Sequence, residues 1–168
     1  MPVVLYIFIL IELIIVGYLD FKYKKIKNFW VLVNLGLYLL ALWIFKDYYF
    51  FNLKTFIWPF GFLFVGFLLF VLKIMGGGDS KFLFSFFLII PENLHELFFM
   101  NLIYATTVVG LLMLIFNTAK NFDKLKLAYV YRSLQYVKDV YGHKFAYAPI
   151  VGLSWVLFGW DIRQSFTH

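Results

Sequence analysis

Long unbroken apolar runs, each closed by charge or glycine, set the pattern of this chain. Residues 2–19 form the first run, PVVLYIFILIELIIVGYL; residues 29–45 form the second and residues 55–75 the third. A shorter apolar segment follows at 82–90, then runs at 97–116 and at about 146–160. Runs of this kind approach the roughly 20 residues that a helix needs to cross a bilayer core. They are continuous, whereas the strands of a membrane barrel alternate over roughly 10 residues. The pattern therefore predicts an all-α polytopic membrane protein with about six transmembrane helices. Pro59 falls near the start of its helix, where proline is tolerated. The 82–90 segment is too short to cross unaided, since nine helical residues cover roughly 14 Å. It is expected to begin below the membrane surface, which would seat the residues just before it in a recess.

Two positions interrupt the apolar pattern. Glu12 lies in the middle of the first run, where an isolated charge is costly. It is expected to face the bundle interior as a hydrogen-bonded packing residue. Residues 118–144 carry Lys120, Lys124, Lys126, Arg132, Lys138 and Lys144 against Asp123 and Asp139. Phe122, Leu125, Tyr129, Leu134, Val137 and Tyr141 recur among them at near-helical spacing. That stretch reads as a cytoplasmic amphipathic segment lying along anionic headgroups. No internal repeat or linker divides the chain, so residues 1–168 are expected to form a single domain.

Composition agrees with the pattern: 64% of the 168 residues are apolar and 14% are charged. Soluble domains run near 45–50% and about 25% respectively. The first run lacks the positive leading region and small-residue cleavage site of a secretory signal, so it is expected to remain as a span. The absence of cysteine excludes disulfides, thiol nucleophiles and thiolate metal sites. His95, His143 and His168 lie far apart, with no ligand spacing, and no metal is expected. The net charge of +6 is not read as nucleic-acid binding, because its distribution follows membrane topology. Segments 20–28, 73–81 and 118–144 hold twelve of the fifteen Lys and Arg. The positive-inside rule places those three segments in the cytoplasm and both termini on the outer side.

That orientation brings two acidic residues to one side. Asp20 heads a basic stretch, and Asp79 follows Gly76, Gly77 and Gly78. Two carboxylates at close range cannot both ionise easily, so such a pair shares one proton. One member then takes a proton from water while the other donates to a carbonyl oxygen, which is the work of peptide hydrolysis without metal or cofactor. The glycines permit positive φ and leave room for an extended substrate. Equally, glycine followed by aspartate is ordinary punctuation between helices. No GK[ST] ending makes the glycines a phosphate loop. Lys81 either steadies the negative charge of the pair or snorkels at a helix end. Lys22, Lys24, Lys25 and Lys27 read as topology signals.

The same residues resemble the type IV prepilin peptidases, membrane aspartic peptidases of the GxGD type. The family's first motif is an Asp, a basic stretch and Ile-Pro-Asn. Asp20, Ile26 and Asn28 match it, with Lys27 in place of the proline. Gly76, Gly78, Asp79 and Lys81 match the second motif, Gly-x-Gly-Asp-x-Lys, in full. Ala146-Tyr147-Ala148-Pro149 is similar to the entry of the family's last helix. The resemblance implies that Asp20 and Asp79 are the catalytic pair, with Gly76, Gly77, Gly78, Lys81 and Asn28 in supporting or substrate-binding places. It implies a prepilin-like substrate with a short basic leader, cut after Gly at the cytoplasmic face of the inner membrane. The larger bifunctional members carry an extra domain with paired cysteines and methylate the new N-terminus. This sequence has neither feature, so a peptidase-only form is expected. Oligomeric state is not legible. Two other functions fit parts of the pattern. A presenilin-type intramembrane protease shares the second motif but pairs it with a Tyr-Asp centred in a span. A small ion transporter would use Glu12, Asp20 and Asp79 as path carboxylates.

Overall fold

A computed structural model describes residues 1–72, 75–131, 140 and 147–163 of the chain. Every element among them is helical. The order is α1 (Val3–Tyr23), α2 (Asn28–Ile44), a 3-10 turn (Leu53–Phe56), α3 (Ile57–Val71), α4 (Gly77–Ile89), a second 3-10 turn (Glu92–Leu94), α5 (His95–Lys120), α6 (Phe122–Tyr131) and α7 (Ala148–Asp161). All six apolar runs are thus helices. Three stretches are long and apolar enough to cross a membrane: Val3–Tyr23, Leu53–Val71 and Glu92–Lys120. Asn28–Ile44 is a shorter apolar helix. With 13 and 14 residues, α4 and α7 span only about 20 Å each. Of the predicted 118–144 amphipathic segment, α6 is present as a helix, and most of the remainder lies outside the described residues.

The bundle is apolar outside as well as inside. Ile11, Ile14, Leu39, Leu40, Phe64, Leu68, Leu111 and Leu112 are all exposed on helix outer faces. In water, contiguous apolar surface on this scale is rare; against lipid tails it costs nothing. Within the apolar core lie buried polar groups as well: Glu12, Asp20, Asn34, Ser85, His95 and Ser154.

The main packing pairs are α1 on α7 and α5 on α7, and α2 and α3 on α4. Two lobes result. Tyr6 and Trp155 bind α1 to α7: Tyr6 Oη donates to the Trp155 carbonyl at 3.2 Å, and Trp155 Nε1 donates to the Tyr6 carbonyl at 3.3 Å. At Gly159 any side chain would collide with the Tyr6 hydroxyl, so the contact requires glycine. In the other lobe a Cβ on Gly66 would lie 2.5 Å from Ser80 Oγ, which lets α3 approach α4 closely. Between the lobes runs an aromatic seam. Phe86 meets Trp155 edge-on at 5.3 Å, Phe87 meets Phe98 at 5.2 Å, and Trp58 meets Phe99 at 4.7 Å. Such pairs contribute about 0.5–1.5 kcal/mol each beyond their buried area.

Most of α4 is buried, and so is its C-terminal end, Leu88 to Pro91. A helix ending in apolar surroundings must find donors for its last carbonyls. His95 Nε2 lies 2.9 Å from the Phe87 carbonyl and 2.8 Å from the Ile90 carbonyl. Both partners are acceptors, so Nε2 carries the hydrogen. Tyr49 Oη donates to the Ile89 carbonyl at 2.5 Å. Burial holds the Tyr49 phenol above its ordinary range, so it remains a donor. These two side chains are what allow α4 to be short. Replacing His95 with Leu should therefore destabilise the bundle by about 1–3 kcal/mol, the cost of stranded buried acceptors. Thermal unfolding in detergent, compared with an exposed control such as Trp43→Leu, measures it.

Candidate active site

Asp20 lies one turn inside the end of α1, because the helix runs past the apolar segment to Tyr23. Lys24 then closes it in the left-handed region, φ 52°, with its N–H on the Asp20 carbonyl at 2.8 Å. The Asp20 side chain is 2% exposed. Its Oδ2 accepts the Ala148 backbone N–H at 3.0 Å. Ala148 is the first residue of α7, and Pro149 beside it has no N–H to satisfy. Asp20 thus caps another helix 128 positions away in sequence.

Asp79 belongs to the first turn of α4. The helix begins on the glycines themselves, with Gly76 as N-cap and Gly77 and Gly78 as its first residues. Asp79 Oδ2 accepts the Gly76 N–H at 3.1 Å. This corrects the expectation that the glycines use positive φ: none does among the described residues. What they supply is space. A Cβ on Gly78 would stand 2.7 Å from the Ile26 carbonyl oxygen. The close backbone neighbour at Gly78 is therefore the chain's own basic loop rather than a substrate strand. At Gly77 a Cβ would make an ordinary 3.5 Å contact with the Phe70 ring, and at Gly76 it would stand 3.0 Å from Asp79 Oδ2.

Adjacent residues at the entrance of α7 respond to the two aspartates. Ala148 donates to Asp20, and the neighbouring Tyr147 lies within Coulombic reach of Asp79. The Tyr147 hydroxyl is 3.3 Å from Thr106 Oγ1 of α5, which in turn donates to the Leu102 carbonyl. Each carboxylate also sits at the positive end of a helix dipole, Asp20 at α7 and Asp79 at α4. Both therefore perform the bland capping job, and both do it around one constellation of Asp20, Asp79, Tyr147, Ala148 and the Ile26–Gly78 contact.

Lys81 is exposed on α4. Asn28 is exposed at the start of α2, whose N-terminus has no side-chain cap. Lys27, in the proline position, adopts φ −76° and ψ 142°, close to the value a proline ring imposes. The loop has the required shape without the ring. Lys27→Pro is accordingly expected to be neutral or to stabilise by about 0.4–1 kcal/mol. Thermal unfolding checks this; a loss of stability would show that the backbone relaxes away from this shape.

Sequence reasoning had no means of assigning Thr106, since a threonine inside an apolar run signals nothing. Tyr147 was visible only through the late Ala-Tyr-Ala-Pro stretch. Among the described residues no three His, Asp or Glu side chains gather as a metal site needs. The site chemistry available is that of two carboxyls, a phenol and backbone N–H groups.

A family model described as the type IV leader peptidase family matches residues 7–122. The match runs from α1 to the start of α6 and includes both aspartates; Tyr147, Ala148 and α7 lie beyond it. No curated protein and no solved structure matches the chain.

Proposed function

Because the chain belongs to the type IV leader peptidase family, we propose that it is a membrane aspartic endopeptidase in which Asp20 and Asp79 divide the acid and base work. One observation carries this reading. Asp20 accepts the N–H of Ala148 at the start of α7, and Asp79, 59 positions on and in the other lobe, is a charge felt by the neighbouring Tyr147.

In the proposed reaction the ionised member of the pair takes a proton from water, which attacks the peptide carbonyl. The protonated member donates to the carbonyl oxygen as the tetrahedral intermediate forms. The first carboxyl then gives its proton to the departing amine while the second takes one back from a hydroxyl of the gem-diol, so that the C–N bond breaks and the pair is restored. Every proton is carried by the two carboxyls, and the reaction draws on no metal.

The substrate class follows from the family: a prepilin-like protein with a short basic leader, cut after Gly just ahead of an apolar helix. The topology proposed with it has six crossings, both termini outside and the pair facing the cytoplasm of the inner membrane. The form is peptidase-only, without methyl transfer. The test is direct. Purified protein in detergent is incubated with a prepilin-like peptide, with and without a methyl donor, and the products are weighed by mass spectrometry. Cleavage after Gly with an unmodified new N-terminus is expected. An intact peptide overturns the reading, and a methylated product overturns the peptidase-only form. Single cysteines at exposed Tyr23 and Lys81, in this cysteine-free chain, should react with impermeant reagents from the cytoplasmic side alone.

A further inference from the structure

Glu12 has no part in the proposed chemistry, yet it is 3% exposed in the middle of α1. It faces Asn34 of α2, which in turn faces Ser85 of α4; both are fully buried. The Asn34 amide nitrogen can stand 2.9 and 3.0 Å from the two Glu12 oxygens, with the amide oxygen 3.3 Å from Ser85 Oγ. Turned over, the amide presents its oxygen to Glu12 and its nitrogen to Ser85 Oγ at 3.3 Å. The first orientation suits an ionised carboxylate and the second a protonated one. Ser85 has one hydrogen: in the first orientation it donates to the Asn34 oxygen, and in the second it accepts from the Asn34 nitrogen and keeps that hydrogen for its own helix backbone. Its own anchor is the Phe82 carbonyl at 2.9 Å.

We propose that Glu12, Asn34 and Ser85 form a positioning clamp that sets α1 against α4 and so holds Asp20 and Asp79 in register. The inference rests on the reading of those two aspartates as the reacting pair. Its ground is the division into lobes. Helix α1 packs chiefly on α7, while α4 packs on α2 and α3, so the two carboxylates are fixed by different sets of neighbours. On the site side the loop after α1 approaches α4 through its backbone, at Ile26 and Gly78. The polar chain adds a second pin below the first. Glu12 is eight residues, about 12 Å, below Asp20, and Ser85 is six residues, about 9 Å, below Asp79. Two pins at different depths fix both sliding and tilt; one fixes neither.

Energetics favour the same reading. Apolar side chains would join these helices without the cost of burying a carboxyl, an amide and a hydroxyl. Apolar contacts, however, tolerate small slides, whereas a hydrogen bond weakens steeply with distance and angle. The polar chain gives up cohesion and gains register. An ion-path role for Glu12 would need a wet approach, and Ile9, Leu13 and Val16 around it are themselves buried.

The experiment compares Glu12→Leu, Glu12→Gln, Asn34→Leu and the Leu/Leu double variant with Asp20→Asn as reference. Displacing a reacting group by about 1 Å costs on the order of a hundredfold, so Glu12→Leu should lose about that in kcat with KM unchanged. Gln offers both a donor and an acceptor, and should restore most of the activity. The double variant should be no slower than the single ones, as members of one network are not additive. Spin labels at Tyr23→Cys and Lys81→Cys should show a broadened distance distribution in Glu12→Leu and a narrow one in Glu12→Gln. Wild-type kcat in Glu12→Leu, or a lowered kcat with the distance distribution unchanged, overturns the clamp. Should Glu12→Leu fail to accumulate, Ser85→Ala removes a single oxygen and carries the same readouts. If Asp20→Asn also cleaves, the peptidase reading itself has failed; if Asp20→Asn is dead while Glu12→Leu cleaves normally, the clamp alone has.

Discussion

Asp20→Asn and Asp79→Asn are each expected to lower cleavage of a prepilin-like substrate by about 10²–10⁴-fold, the usual worth of a positioned acid or base. Asparagine makes this informative because each aspartate also caps a helix. Asp20 holds the Ala148 N–H and Asp79 the Gly76 N–H, and an amide oxygen accepts such bonds nearly as well as a carboxylate. Both variants should therefore fold and accumulate as the parent does. A defect confined to rate then belongs to the chemistry and not to the caps. The double variant should be about as slow as either single one, because the carboxyls act as a unit. Undiminished cleavage by either single variant would reduce both residues to caps.

The second large effect concerns one atom of space. Gly78→Ala would put a methyl group 2.7 Å from the Ile26 carbonyl oxygen. Ile26 is 4% exposed and anchored in the core, so the loop cannot simply move aside. Either α4 shifts, carrying Asp79, or the loop does, pulling on α1 and Asp20. Overpacking of this kind costs about 1–3 kcal/mol, and the displacement should reduce cleavage about a hundredfold. Gly77→Ala is the matched control: its methyl meets only the Phe70 ring at 3.5 Å. Alanine is also the better helix former there, so that variant should be active and slightly more stable. Cleavage rates and melting temperatures of the two variants, measured side by side, check the contrast. If the glycines were punctuation alone, adjacent alanines would behave alike.

Much of the helical organisation was legible because the period and length of apolar runs answer to the solvent. Each of the six runs is a helix, and the two motif aspartates stand where their runs end. Boundaries were less legible. The first apolar run ends at Leu19, but α1 continues to Tyr23, since lysine and tyrosine are acceptable helix residues once the chain reaches water. The glycine role was half right: close approach is real at Gly78, whereas positive φ is absent. Local composition cannot tell which freedom of a glycine is used. Glu12 was expected to be a bonded interior residue, and its Asn34 and Ser85 surroundings agree.

By itself the sequence determined that this chain is helical with long apolar runs, and it marked Asp20 and Asp79 as the acids in two stretches that resemble the family's motifs. Those are statements about which residues exist and how they repeat, and they follow from local pattern. Tertiary structure alone decided that Ala148 and Tyr147 join the aspartates, that the Ile26 carbonyl fills the space beside Gly78, and that His95 and Tyr49 finish α4. Only folding brings residues dozens of positions apart within the 3 Å over which a hydrogen bond or a steric clash acts, and no spacing along the chain encodes that meeting.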